Sequence, residues 1–141
     1  RRTIRRGCYT VKFDSDFRGV MEGCANRDET WINAEFKRAY GELFDLGYAH
    51  SVEVYDENRL VGGVYGVSLN AAFFAESKFS IQTDASKVAL YFLCEHLRAK
   101  GFLLLEVQFL TSHLAALGAV EIPVEEYEAL LQRAVSTPAS F

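Results

Sequence analysis

Apolar and polar positions recur along this chain with two different periods, and the switches between them divide it into elements. Residues 8–13 alternate as a short strand. Asp14 stands where an N-cap opens a helix through Cys24. A polar loop over 26–29 leads to Trp31. Asn33 is then placed to cap a second helix whose Phe36, Tyr40, Leu43, Phe44 and Leu46 form an apolar stripe, stopped by Gly47. Residues 49–55 and 60–67 read as strands, and Asp56-Glu57-Asn58-Arg59 between them predicts an antiparallel hairpin. A third strand over 71–75 follows a turn at Ser68-Leu69-Asn70. Asp84 or Ser86 begins a long helix through Lys100, with Val88, Leu90, Tyr91, Cys94 and Leu97 as its buried side and Gly101 as its stop. Residues 112–117 predict a short helix closed by Gly118. Pro123 suits the first turn of a final helix over 125–133, and the tail 136–141 reads as loose.

One segment departs from both periods. Residues 102–110 are apolar almost throughout, yet Glu106 and Gln108 stand two apart inside them, which in a strand points both side chains the same way. A carboxylate and an amide in such a strand are costly unless hydrogen-bonded or open to a cleft. The spacing by itself leaves two readings open, mutual satisfaction or a site.

Strands followed by helix, strand and helix make an α+β domain with a mostly antiparallel sheet flanked by helices. A long helix between a meander and a further strand is also the core of the GNAT acyltransferase fold. At 141 residues the chain fits one domain, 1–141, and half its residues are apolar, enough for a packed core. No apolar run approaches the roughly 20 residues that span a bilayer, and no secretory signal opens the chain. Cys8, Cys24 and Cys94 form no CxxC pair and no His/Cys cluster has metal-ligand spacing, which suits a reducing cytoplasm and predicts no metal. Cys94, mid-helix among apolar neighbours, reads as buried rather than nucleophilic. The net charge of −4 hides a basic start, Arg1, Arg2, Arg5 and Arg6, without which the rest carries about −8. Composition alone makes this cluster a solvated tail, and an opening Arg rather than Met suggests material upstream.

The ordered blocks Thr30-Trp31-Ile32, Gly47-Tyr48-Ala49-His50-Ser51-Val52-Glu53-Val54 and Leu60-Val61-Gly62-Gly63-Val64-Tyr65-Gly66-Val67 resemble the leucyl/phenylalanyl-tRNA–protein transferase family. The resemblance continues through Glu76-Ser77-Lys78-Phe79-Ser80, Ala85-Ser86-Lys87, Glu106-Val107-Gln108, His113 and Leu117-Gly118-Ala119-Val120-Glu121-Ile122-Pro123. It implies transfer of leucine or phenylalanine from charged tRNA to the N-terminal amine of a protein beginning with Arg or Lys, marking that protein for degradation. The reaction is aminolysis of an ester that is already activated, and it calls for no cofactor. By resemblance the catalytic pair is Glu106 and Gln108, with Glu106 standing where the family has Asp. Val64, Lys78, Leu90 and Leu105, with Glu76 nearby, overlie the pocket for the transferred side chain. Trp31 overlies a tryptophan that stacks on the 3′-terminal adenosine, a contact worth about 1–3 kcal/mol per base. Arg1, Arg2, Arg5 and Arg6 overlie the cluster that grips the acceptor-stem phosphates.

Lys78 replaces a methionine of the resembled pattern. It either turns outward, with Glu76 as an available partner, or marks a pocket for a polar or acidic side chain. Thr111-Ser112, Ala116 and Val124 also depart from the pattern, and the loop before Trp31 is shorter. The family's N-terminal Gly-Ile-Phe-Pro-Trp block is absent from the sequence, so tRNA binding is expected to be weaker than in the full architecture. A CoA-dependent acetyltransferase is the rival on the same fold. Gln82-Thr83-Asp84-Ala85-Ser86-Lys87 lacks the glycine turn that cradles pyrophosphate, which argues against it. A non-catalytic module binding aminoacyl-tRNA or peptide is the rival from another class. His50 and His113 read as hydrogen-bonding residues, and His96 as lying on the polar side of its helix.

Overall fold

A computed structural model of the chain describes residues 2–4, 9–25, 34–107 and 120–141. Among these residues, six strands form one sheet in sequence order: β1 (Arg2–Ile4), β2 (Tyr9–Phe13), β3 (Ala49–Asp56), β4 (Arg59–Leu69), β5 (Ala72–Ser80) and β6 (Leu104–Glu106). Neighbours pair antiparallel except β5 and β6, which run parallel because the helix α3 (Ala85–Ala99) carries the chain back between them. The β3–β4 hairpin closes on Glu57 and Asn58, both at positive φ (51° and 76°), as a two-residue turn matched to the strand twist needs. Gly47 (φ 90°) and Gly101 (φ 83°) supply left-handed residues just beyond α2 (Ala34–Asp45) and α3, the stops read from the sequence.

Strand alternation sorts the sheet into two faces. Val11, Val52, Val54, Val64 and Phe73 lie under α3, whose Ala85, Ala89, Leu90, Leu93 and Leu97 complete that core. On the other face Ala49, Tyr65 and Phe79 pack with Phe17, Val20 and Met21 of α1 (Phe17–Ala25), flanked by Phe36, Tyr40, Leu43 and Phe44 of α2. The last helix, α4 (Val124–Val135), covers the β5–β6 end of that second face through Ala134, Leu130 and Tyr127.

Several local expectations change. α1 is capped by Asp16, whose Oδ1 accepts from the Gly19 N–H at 3.0 Å. Asp14, expected as the cap, instead has φ 56° and accepts from the Ser51 N–H while facing His50 Nδ1, both at 2.9 Å. β5 runs to Ser80, well past the predicted end at residue 75. Leu46 lies beyond the last turn of α2 and is 70% exposed, outside the stripe assigned to it. In α3 the small Ala85 and Ala89 bring the helix close to the sheet, so Phe92 and Leu93 are buried and Tyr91 is exposed. His96 is not on a polar side: it stacks on Phe13 with ring centroids 4.4 Å apart. The tail is not loose at its last residue, because the Phe141 ring stacks on His50 at 4.3 Å and its carbonyl accepts from His96 Nε2. Pro123 sits at the N-cap of α4 rather than inside it, with ψ at 153°. The short helix expected over 112–117 and the cap Asn33 lie outside the described residues.

Candidate active site

The second face carries two half-buried carboxylates that a strand irregularity brings together. Between Tyr65 and Gly66 the β4–β5 register shifts: Tyr65 pairs with Ser77 but Gly66 with Ala75, leaving Glu76 as an extra residue. Such a bulge re-aims the inserted side chain. Regular alternation would place Glu76 with Lys78, which stands opposite Val64 on the α3 face. The bulge turns Glu76 toward α2, where the Tyr40 hydroxyl donates to it and where it feels the charge of Glu106. Glu106 reaches the same face from β6, where it pairs with Phe74. Tyr127 of α4 donates its hydroxyl to Glu106 Oε1 at 2.6 Å.

Electrostatics follow from this packing. Burial first, then the neighbouring Glu106 charge, pushes the Glu76 carboxyl up from its ordinary value, with the Tyr40 hydrogen bond acting the other way. Tyr40 is pushed up to about 12 by burial and by Glu76. Tyr127 is likewise pushed up to about 12, chiefly by its bond to Glu106. Both phenols therefore remain protonated donors at neutral pH, so neither serves as a base. Two carboxylates on one face, each held by a neutral phenol donor, make that part of the surface negative, which suits a cationic or amine group.

The predicted pocket residues do not all converge. Glu76 shares a face with Glu106, while Val64 of β4 and Leu90 of α3 (each 2% exposed) lie in the core between sheet and helix, with Leu105 packed against that core. The expected Glu76–Lys78 pairing is replaced by Glu76–Tyr40, because the bulge puts the two side chains on opposite faces. Gln108, Trp31, Arg1, Arg5, Arg6 and His113 lie outside the described residues. Arg2 falls in β1.

Sequence reasoning missed Tyr40, taken as one member of an apolar stripe, and Tyr127, taken as a position in a final helix. It also passed over Glu53. This residue is fully buried on the second face and accepts from Ser15 N (3.1 Å), Ser15 Oγ (2.9 Å), Asp16 N (3.1 Å) and the Ser51 hydroxyl. Burial pushes the Cys94 thiol up, away from the thiolate a nucleophile needs. Among the described residues no group of three or more His, Cys, Asp or Glu is placed to hold a metal, and no helix is long and apolar enough to cross a membrane.

Comparison with known proteins identifies the family and the fold of the chain. A family described as leucyl/phenylalanyl-tRNA protein transferase matches residues 1–132. A leucyl/phenylalanyl-tRNA–protein transferase of Ruegeria pomeroyi is 57% identical over 99% of this chain and 67% of its own length. One of Cereibacter sphaeroides is 55% identical over 99% of this chain and 65% of its own. The chain thus spans about two thirds of the length of the relatives it matches. Among solved structures, glucosamine-6-phosphate N-acetyltransferase of Arabidopsis thaliana superposes with a TM-score of 0.58 at 14% identity, covering 82% of this chain and 94% of that one. At that identity the likeness shows the fold, the GNAT-like α+β architecture expected from the element order.

Proposed function

The chain belongs to the leucyl/phenylalanyl-tRNA–protein transferase family, and we propose that it moves leucine or phenylalanine from charged tRNA to the N-terminal amine of a protein bearing Arg or Lys. The observation that carries this reading is that a bulge on β5 turns Glu76 to the face of Glu106, where each is held by a tyrosine hydroxyl from a different helix. A face of that charge suits an acceptor whose first residue carries both an α-amine and a cationic side chain. We assign the Arg or Lys side chain mainly to Glu76 and the amine to the Glu106–Gln108 end of the site.

The chemistry then needs little beyond placement. The acceptor amine, ordinarily near pKa 8, reaches its neutral form readily. Its nitrogen attacks the aminoacyl carbonyl, a C–N bond forms, and the ester C–O bond breaks to release the 3′-terminal ribose oxygen, which leaves with a proton. Gln108, without a titrating group, accepts a hydrogen bond from the amine, and Glu106 orients it. Of the pocket positions implied by the resemblance, Leu105 is the partly buried one on the α3 side and is assigned to the transferred side chain, with the buried Val64 and Leu90 backing it from the core. Trp31 and the arginines at positions 1, 2, 5 and 6 take the adenosine and the acceptor-stem phosphates. Use of charged tRNA places the reaction in the cytoplasm.

The test is transfer of radiolabelled leucine or phenylalanine from tRNA to a peptide with N-terminal Arg, against the same peptide acetylated. Label in the first and none in the second is expected; no label in either sinks the reading. Lys78 favours a second reading, transfer of a polar or acidic amino acid, since it puts an ammonium opposite Val64. Running the assay across all charged tRNAs decides between them, and an unchanged preference for Leu and Phe removes the second.

A further inference from the structure

We infer that Tyr127 is a positioning residue for transfer, holding the Glu106 carboxylate in register with Glu76 from a helix fixed at its far end. This rests on the reading of Glu106 given above.

Ala134 of α4 is fully buried, its carbonyl accepts from the Ala71 N–H at 2.9 Å, and Asn70 Nδ2 donates to the Val135 carbonyl at 2.5 Å. Leu130 and Leu131 pack on the same small cluster as Leu104. The helix is thereby riveted to the turn between β4 and β5 and to the first residue of β6. Tyr127 lies two turns before Ala134 on that buried stripe, which delivers its hydroxyl to Glu106 Oε1 at 2.6 Å.

A glutamate has three side-chain torsions, and Glu106 is the last residue of the three-residue β6. Left to those torsions its carboxylate samples several positions. A hydroxyl fixed by a packed helix selects one of them, and by engaging Oε1 it leaves Oε2 for other partners. Removing the hydroxyl keeps the ring and the packing but frees the carboxylate, an error of the size that costs rate rather than fold.

The test is a double-mutant cycle in the peptide-transfer assay, using the chain with Tyr127→Phe, Glu106→Ala and both together, since alanine leaves the hydroxyl no acceptor. Tyr127→Phe is expected to lower kcat about tenfold with KM for the acceptor peptide within about twofold, and to add nothing further in the Glu106→Ala background. Circular dichroism and melting curves accompany each variant, with rates read well below every melting point. Equal fold-losses in the two backgrounds, or a raised KM at unchanged kcat, overturn the inference, because a purely structural hydroxyl acts independently of Glu106. An inactive unmutated chain, or a Glu106→Ala variant as active as the unmutated chain, fails the underlying reading and takes this inference with it.

Discussion

Glu53 and the Glu76–Glu106 pair project from the same face of one sheet, and their surroundings differ in kind. Glu53 accepts from two backbone N–H groups and two serine hydroxyls at the entry to α1, which uses most of what a carboxylate can accept. Burial still pushes its carboxyl up from the ordinary value, against those bonds. Glu76 and Glu106 are only half-buried, each receives one tyrosine hydroxyl among the described residues, and each faces the other's charge. A carboxylate with four donors fixes a helix to a sheet. In the proposed function the Glu76–Glu106 pair, with fewer donors among the described residues, keeps acceptor capacity for a cationic substrate. Donor count, rather than depth, sets the two sites apart.

That contrast yields variants whose effects separate stability from rate. The largest effect is expected at Gln108. Gln108→Ala lowers transfer about a thousandfold, near 4 kcal/mol of barrier, with the melting temperature unchanged; single-turnover transfer near the rate of the unmutated chain removes the amide from the mechanism. Glu53→Ala comes next and acts on folding instead. It strands four donors and costs about 3 kcal/mol in urea titrations, while the folded fraction keeps its turnover. A Glu53 variant that unfolds normally but transfers poorly reverses the assignment of the two acid sites. Glu76→Gln is smaller again: KM for an Arg-initiated peptide rises about tenfold with kcat little changed. A peptide beginning with Ala serves as the control, since its KM has no cationic contact to lose.

How much of this was legible in the sequence varies by element. The hairpin, the long helix and the two glycine stops were readable because they rest on local chemistry, turn residues and apolar period. The pairing of Glu76 with Glu106 was not, because Glu76 and Lys78 stand two apart and a regular strand puts them together. Only the register shift opposite Tyr65 and Gly66 separates them, and a bulge leaves no compositional trace in Glu76-Ser77-Lys78. Tyr127 was hidden for another reason. Its partner is 21 residues away in sequence, and the contact depends on where α4 is anchored. Asp14 and Asp16 show the same limit at short range. Either aspartate fits the cap signal, and His50 claims the first while Gly19 bonds the second. His96 was misread because helical period alone did not reveal that Phe13 and Phe141 come to that side.

The smallest effect tests whether the α3 face, which holds no acid pair among the described residues, contributes to the pH dependence of folding. His96 lies between Phe13 and Phe141, donates from Nε2 to the Phe141 carbonyl, and has Lys100, Asp14 and His50 as its charged or titratable neighbours. Burial lowers its pKa below the ordinary 6.5, outweighing the hydrogen bond and Asp14, while Lys100 and His50 act with burial. In the unfolded chain the ring takes a proton near pH 6.5, whereas the folded chain resists until lower pH. Between those two values the unfolded state holds more protons, so stability is fully present above about 6.5 and falls as the pH drops through that window. Urea midpoints at pH 7.5 and 5.5 measure the loss, and in His96→Phe, which keeps an aromatic ring for the stack, the difference should shrink. An identical loss in the variant assigns the acid sensitivity to other groups, and an increase in stability on acidification contradicts the sign derived from burial.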